Sequence, residues 1–336
     1  MKMKASAITA AMLLALTAQT VSAAEAVGYN VVTVPANSDA LVSVPFNKNA
    51  EGSFTVSSKT ADGVTVAGSL TAGAYANGYY VRFTTGGGEG LWSTISDNGT
   101  GGFEFANTNV LTYISNGDTF RVYEHQTLSD LFPMGYAGTT FVPSGDEGTA
   151  EGGTQVLVPE TAALGVDKAA AIVCTHYGSY GWADKEFSDV NQLVLVPGQY
   201  VKVRNPSTNA LSVVISGDVP DTKQAGVLAR NVSNNDLYLV NPFPVPVTLN
   251  QMGLESWAST DGDAYTGQVL LFNNADTGLD KASVLQSVYY TGDSNWYDGT
   301  LANVVNSSEI PAGMGVVLRD TAGVSGTGLW TVNKPY

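Results

Sequence analysis

Along this chain, apolar and β-branched residues come in short runs separated by clusters of Gly, Asn and Asp. Val31–Val34, Gly63–Ala67, Tyr79–Thr85, Leu91–Ser96, Thr119–Glu124, Gln192–Val196, Val201–Arg204, Leu211–Ser216, Val269–Phe272 and Gly315–Arg319 each have the length and residue types of a strand. Long helical periodicity is absent. Two short exceptions are TLSDLFP from Thr127 and TLNQMGLE from Thr248, where Thr precedes Asp130 or Gln251 by three residues, the spacing of a capping box. Pro133 closes the first after little more than one turn. The pattern predicts an all-β chain with only short helical turns.

The pattern also repeats. NSDALVSVPF, from Asn37 to Phe46, returns as NNDLYLVNPF, from Asn234 to Phe243. Gln155 and Gln268, Asp167 and Asp280, and Tyr177 and Tyr290 each stand 113 residues apart; Trp182 and Trp296 stand 114 apart, Arg204 and Arg319 115. Such slow drift is what single-residue loop insertions produce. The two opening phrases are 197 residues apart but Thr127 and Thr248 only 121, so the first copy holds 76 extra residues between them. Its turns at Asp62-Gly63, Asn77-Gly78, Asn98-Gly99 and Asn116-Gly117 predict a small closed barrel. The expected organisation is therefore two tandem duplicated β-sandwich-like modules, the first interrupted: residues 24–50 and 127–223 for the first, 51–126 for the inserted barrel, and 224–336 for the second.

The N-terminus differs from the rest. Lys2 and Lys4 precede an uncharged apolar stretch from Ala5 to Gln19, and small residues at Val21-Ser22-Ala23 follow, the order of a secretory signal over residues 1–23. No later stretch has the length of a membrane helix, and no hydrophobic sorting tail precedes Tyr336. The expected location is outside the cell or on its surface. An exported chain has access to disulfides, yet Cys174 is the single cysteine and sits in an apolar run, where a thiol behaves as a small hydrophobe. Stability must come from burial. Net charge is −15, and loss of Lys2 and Lys4 with the signal takes it to −17. So acidic a chain repels phosphate backbones and anionic lipids, which argues against nucleic-acid binding.

Taken together, VPANSDALVSVPF, GYYVRFTTGGGEGLW, NGDTFRVYEHQTLSDLFP, TQVL, NPFPVPVTLNQMGLE, QVLLFNN and PAGMGVVLR before the terminal NKPY make the chain similar to a family of secreted bacterial proteins of unassigned function. The resemblance implies export and an all-β fold. It brings no catalytic residues with it.

Catalytic chemistry finds little support in the residues themselves. His125 and His176 are the only histidines, and neither stands at metal-ligand spacing. GVSGTG from Gly323 misplaces the glycines of a nucleophile elbow, and GGGEG at Gly86–Gly90 lacks the Lys-Ser/Thr of a phosphate loop and reads as a hairpin turn. A dispersed triad would pair His176 with Asp184 or Asp189. No pair of carboxylates is singled out for glycoside hydrolysis, though Glu89, Glu104, Asp184 and Glu186 lie beside strands. No catalytic residue is assigned and no cofactor is expected. Calcium is the ion the acidic loops suit best, through Asp261 and Asp263 or Asp146, Glu147 and Glu151. The favoured expectation is a non-catalytic extracellular or cell-envelope structural or adhesion protein, partnered by other envelope proteins or extracellular polysaccharide. The repeated Trp182 and Trp296, with the nearby tyrosines beside them, read first as core or rim packing. The alternative function is that of a glycan-binding or glycan-processing protein that stacks sugars on Tyr177, Tyr180, Trp182, Tyr290, Trp296 and Tyr297, a reading that needs those rings at the surface.

Overall fold

The structure, a computed structural model, describes residues 26–133, 141–144, 152–230, 234–262, 265–320 and 326–336. The signal read over 1–23 lies outside the described residues, as do Asp146, Glu147, Glu151 and Asp263. The fold is all-β.

The described chain enters through β1 (Val27–Val34) and β2 (Ser38–Ser43), joined at Asn37, whose φ of 48° suits an Asn turn. Pro45 lies just past the end of β2 and Phe46 is buried behind it. Six strands follow: β3 (Ala50–Lys59), β4 (Gly63–Val66), β5 (Tyr79–Phe83), β6 (Trp92–Asn98), β7 (Gly102–Phe105) and β8 (Thr119–Glu124). They close into a barrel in the order β3-β4-β7-β6-β5-β8, which leaves no free edge. Alternation fills its interior with Val56, Val81, Phe83, Ile95, Phe103, Phe120 and Val122.

Beyond the barrel come β9 (Gln126–Thr127) and one helical turn, α1 (Leu128–Leu131), held by the expected capping box: Thr127 N donates to Asp130 Oδ2 at 2.8 Å and Asp130 N to Thr127 Oγ1 at 3.2 Å. The chain continues with β10 (Gln155–Pro159), β11 (Ala170–His176), β12 (Trp182–Ala183), β13 (Val194–Leu195), β14 (Tyr200–Asn205) and β15 (Leu211–Asp218). Gln192–Val196, read as a full strand, pairs only at Val194 and Leu195. One sheet has the order β12-β11-β10-β14-β2, and β1 pairs β15 in a separate ribbon.

The remaining strands are β16 (Gln224–Arg230), β17 (Asn235–Val240), β18 (Val247–Thr248), β19 (Ser259–Thr260), β20 (Gly267–Leu271), β21 (Leu285–Tyr290), β22 (Asn295–Asp298), β23 (Glu309–Ile310), β24 (Gly315–Asp320) and β25 (Gly326–Val332). Their sheet runs β17-β24-β20-β21 with β22 on β21, the order of β2-β14-β10-β11-β12. Register matches too: Asp39 faces Arg204 as Asp236 faces Arg319, and Trp182 faces His176 as Trp296 faces Tyr289. The ribbon β1-β15 has its counterpart in β16-β25, and β9-β13 in β18-β23. Even the turn conformations agree, with positive φ at Asn37 and Asn234 and at Asp167 and Asp280.

Each sheet buries one face against its own half's core: Ala40, Val42, Val156, Val203 and Trp182 in one, Leu239, Val269, Val316, Leu318 and Trp296 in the other. The opposite faces, carrying Leu41 and Tyr200 on one side and Tyr238, Val240 and Phe272 on the other, pack together. Burial on both faces is why β2 reads as a nearly continuous buried strand rather than an alternating one. No helix of the described residues is long and apolar enough to cross a membrane.

Candidate functional site

The aromatic residues that the glycan reading needs at the surface divide into two groups. Trp182 and Trp296 are fully buried, so neither presents a face to a sugar. Strand alternation in β12 and β22 turns both indoles inward. Phe132, Phe141 and His176 surround Trp182 with ring centroids 5.2–6.1 Å away, and its Nε1 donates to Phe132 O at 2.9 Å. Tyr180 is 57% exposed; Tyr177, Tyr290 and Tyr297 are half-buried. Tyr290 and Tyr297 meet edge to face at 6.1 Å, and Tyr297 donates to Asp293 Oδ2 at 2.6 Å. Tyr177 packs on Phe187 at 4.8 Å. Among the described residues no ring contact joins these two tyrosine groups.

The other candidates are scattered. His176 is buried against Phe141 and Trp182, and burial lowers its pKa. Asp184 Oδ1 instead accepts from Glu186 N and Ser188 N, and Asp189 Oδ1 from Asn191 N and Nδ2, so both carboxylates build turns. Burial raises the Cys174 thiol to about 12. Asp261 sits exposed after β19, and among the described residues no three His, Cys, Asp or Glu side chains gather as metal ligands.

The most elaborate polar architecture lies where the two sheets meet. Asp39, on edge strand β2, has a side chain only 3% exposed; Arg204 Nε and Nη2 grip its two carboxylate oxygens at 2.9 Å each. From the other half, Asp280 N donates to Asp39 Oδ2 at 2.9 Å, and Arg204 Nη2 also reaches Asp280 Oδ1 at 3.0 Å. The mirror arrangement holds Asp236 on edge strand β17: Arg319 Nε and Nη2 bind it at 2.8 and 2.9 Å, Asp167 N donates to it at 2.8 Å, and Arg319 Nη2 reaches Asp167 Oδ1 at 2.6 Å. Backbone bonds follow the same exchange, Asp39 N to Gly278 O at 3.0 Å and Asp236 N to Gly165 O at 2.9 Å. Each half thus lends a loop to cover the edge strand of the other. Asn274 adds one contact of its own, its side-chain amide pairing with both N and O of Leu41 at 2.8 Å, like a strand residue.

The electrostatics follow from these bonds. Hydrogen bonding to Asp39 raises the Arg204 pKa, and hydrogen bonding to Asp236 raises that of Arg319. Hydrogen bonding to Lys202, with the charges of Lys202 and Arg204, holds Asp280 below the usual carboxylate range. Burial lowers Lys168 and Lys281, and each ammonium is tied to backbone carbonyls: Lys168 to Ala163 and Asp236, Lys281 to Asn273 and Asp276.

Between the two clasps lies a cavity of about 600 Å³. Leu41, Leu157, Leu270, Phe272 and Val317 give it apolar walls, and Tyr200 and Tyr238 meet in it edge to face at 5.6 Å. Tyr200 fits because its counterpart position is Gly315, where a Cβ would lie 2.4 Å from the ring. Burial pushes the Tyr238 hydroxyl up to about 12 and Tyr200 well up. Lys168, Lys202, Lys281 and Arg319 border the cavity, and each already bonds a protein oxygen. Size and lining are those of a small-molecule site, and the committed cations favour a neutral guest with an apolar face.

In the sequence, Asp39, Asp167, Arg204 and their partners stand out only as marks of the repeat. A chemical signal was present: a charge buried within an apolar strand run costs several kcal/mol unless paired, and Asp39 and Asp236 stand in such runs at matching places, each with an Arg to match. Scans against family models and searches of curated proteins and of solved structures found no match for this chain.

Proposed function

We propose that the chain is a non-catalytic structural or adhesion protein of the cell envelope or extracellular matrix. The observation that carries this reading is the reciprocal clasp: two halves without a disulfide are locked together by exchanged loops and doubly bonded Asp–Arg pairs. A rigid, acidic, strand-built body is useful as a scaffold, and its polar groups are spent on holding its own shape. Cell fractionation tests the idea. The chain is expected in abundance at the surface or in the culture supernatant, cut near Ala24; recovery only as a scarce soluble periplasmic species overturns it.

Carbohydrate binding is the second reading, and the cavity favours it more than the surface tyrosines do. Tyr238 and Phe272, both only partly buried, offer rings at a concave, partly polar site of about 600 Å³. A polysaccharide array, run with and without calcium, tests this reading: binding lost in Tyr238→Ala supports it, whereas binding that survives Tyr238→Ala, or none on any glycan, removes it.

A further inference from the structure

The ribbon β1-β15 has an open edge. Val219 N donates to Ala26 O at 2.7 Å, which makes that facing pair a bonded one; by the alternation of antiparallel ladders, Gly28, Asn30, Val32 and Val34 then point their N–H and C=O groups at β15. Val27, Tyr29, Val31 and Thr33 point theirs outward. Among the described residues no backbone partner meets those outward N–H groups. The same residues present apolar side chains to solvent: Val27 is 76% exposed, Tyr29 73% and Val31 49%. Open, apolar strand edges are the feature that folded proteins normally cover.

The other half of the molecule shows this edge in use. In the matching ribbon β16-β25, Gly326 faces Arg230 as Leu211 faces Val34, which puts Ala225 at the place of Tyr29 and Val227 at that of Val31. Ala225 N donates outward to Gly90 O of the barrel at 3.2 Å, and a Cβ on Gly90 would lie 2.4 Å from Lys223 O, so glycine permits the approach. Ala225, Val227 and Leu329 then join the barrel's apolar core. One ribbon edge is therefore occupied within the chain, and its counterpart, with a bulkier residue at Tyr29, is bare.

What covers the bare edge is narrowed by charge and by what is free. The stretches Val27–Val34 and Leu211–Gly217 carry no charged side chain in a protein of net charge −15. Two copies that repel elsewhere approach here at least cost. A second chain's barrel cannot offer its Gly90 turn, which its own β16 already holds; among the described residues, the uncharged open edge of matching character that it does offer is its own β1. We propose that the protein forms a twofold dimer in which β1 pairs antiparallel with β1 of a second copy, giving a four-stranded sheet β15-β1-β1-β15 with the Val27, Tyr29 and Val31 side chains adjacent across the junction. This rests on the ribbon alone and not on the scaffold reading.

Sedimentation equilibrium on the purified full protein over a range of concentrations is expected to give twice the chain mass at the upper end. Val31→Pro removes an outward N–H while sparing the bonds to β15, and Tyr29→Glu puts like charges opposite each other at an exposed position. Each is expected to weaken dimerisation at least tenfold with the thermal midpoint of the monomer retained. Amide exchange on the unaltered chain needs no variant: protection at Val27, Tyr29 and Val31 is expected to rise with concentration. A chain that stays monomeric at its highest soluble concentration, a dimer indifferent to both substitutions, or exchange at these amides independent of concentration overturns the proposal.

Discussion

Trp182 and Trp296 hold matching places in their sheets but differ at one atom. The Trp182 indole N–H donates to Phe132 O, whereas Trp296 Nε1 has no acceptor among the described residues. Trp182→Phe therefore loses a buried hydrogen bond and leaves a carbonyl unmet, while Trp296→Phe removes an unmet donor. Urea unfolding is expected to show Trp182→Phe the more damaging by about 1–2 kcal/mol, and equal losses would contradict the assigned bond. His125 gives a second residue-level test. It is 1% exposed, its Nε2 shares a hydrogen bond with Thr94 Oγ1, its ring lies 4.9 Å from Tyr80, and burial first, then the charge of Lys48, lowers its pKa to about 4. Because the unfolded chain binds this proton first, near pH 6.5, the folded state loses stability as pH falls from 6.5 towards 4 and keeps it in full above that window. The contribution is on the order of 3 kcal/mol. His125→Gln is expected to flatten that part of the pH profile relative to the unaltered protein, and an unchanged slope would refute the assignment.

At the scale of single elements, β2 and β17 are edge strands whose open sides are covered by loops from the opposite half. Arg204→Ala leaves the Asp39 carboxylate buried with only Asp280 N and, at 3.9 Å, Lys202 beside it. The expected cost is about 3–5 kcal/mol in chemical denaturation. Arg204→Lys keeps the charge but not the two-pronged grip, so it should fall between. If Arg204→Ala costs less than about 1 kcal/mol, the clasp is surface decoration rather than a lock. Both capped turns were readable from Thr127–Asp130 and Thr248–Gln251, because a capping box is local chemistry.

Across the whole molecule, exchanged loops couple the halves: neither edge strand keeps its full set of bonds if the other half unfolds. Calorimetry is expected to show both halves melting in one transition, and the double variant Arg204→Ala, Arg319→Ala to split it. Two transitions in the unaltered chain would mean that the halves are thermodynamically independent.

Strand runs and turn residues are properties of neighbours along the chain, and the interval between matching phrases is a plain count along it, so the all-β class and the closed barrel were legible in the sequence. The residues of the clasp were legible only as repeated letters, since nothing in Asp39 or Asp280 says that they meet 241 residues apart. Packing of the tryptophans in the core or at its rim is the reading the sequence favours, but it leaves rim and interior open: alternation tells which residues share a face, and only packing of one layer on another places both indoles fully inside. The same holds for the open edge of β1. A strand carries outward amides wherever it stands, and whether something covers them is settled by the tertiary arrangement, which shelters the matching strand β16 and leaves β1 exposed.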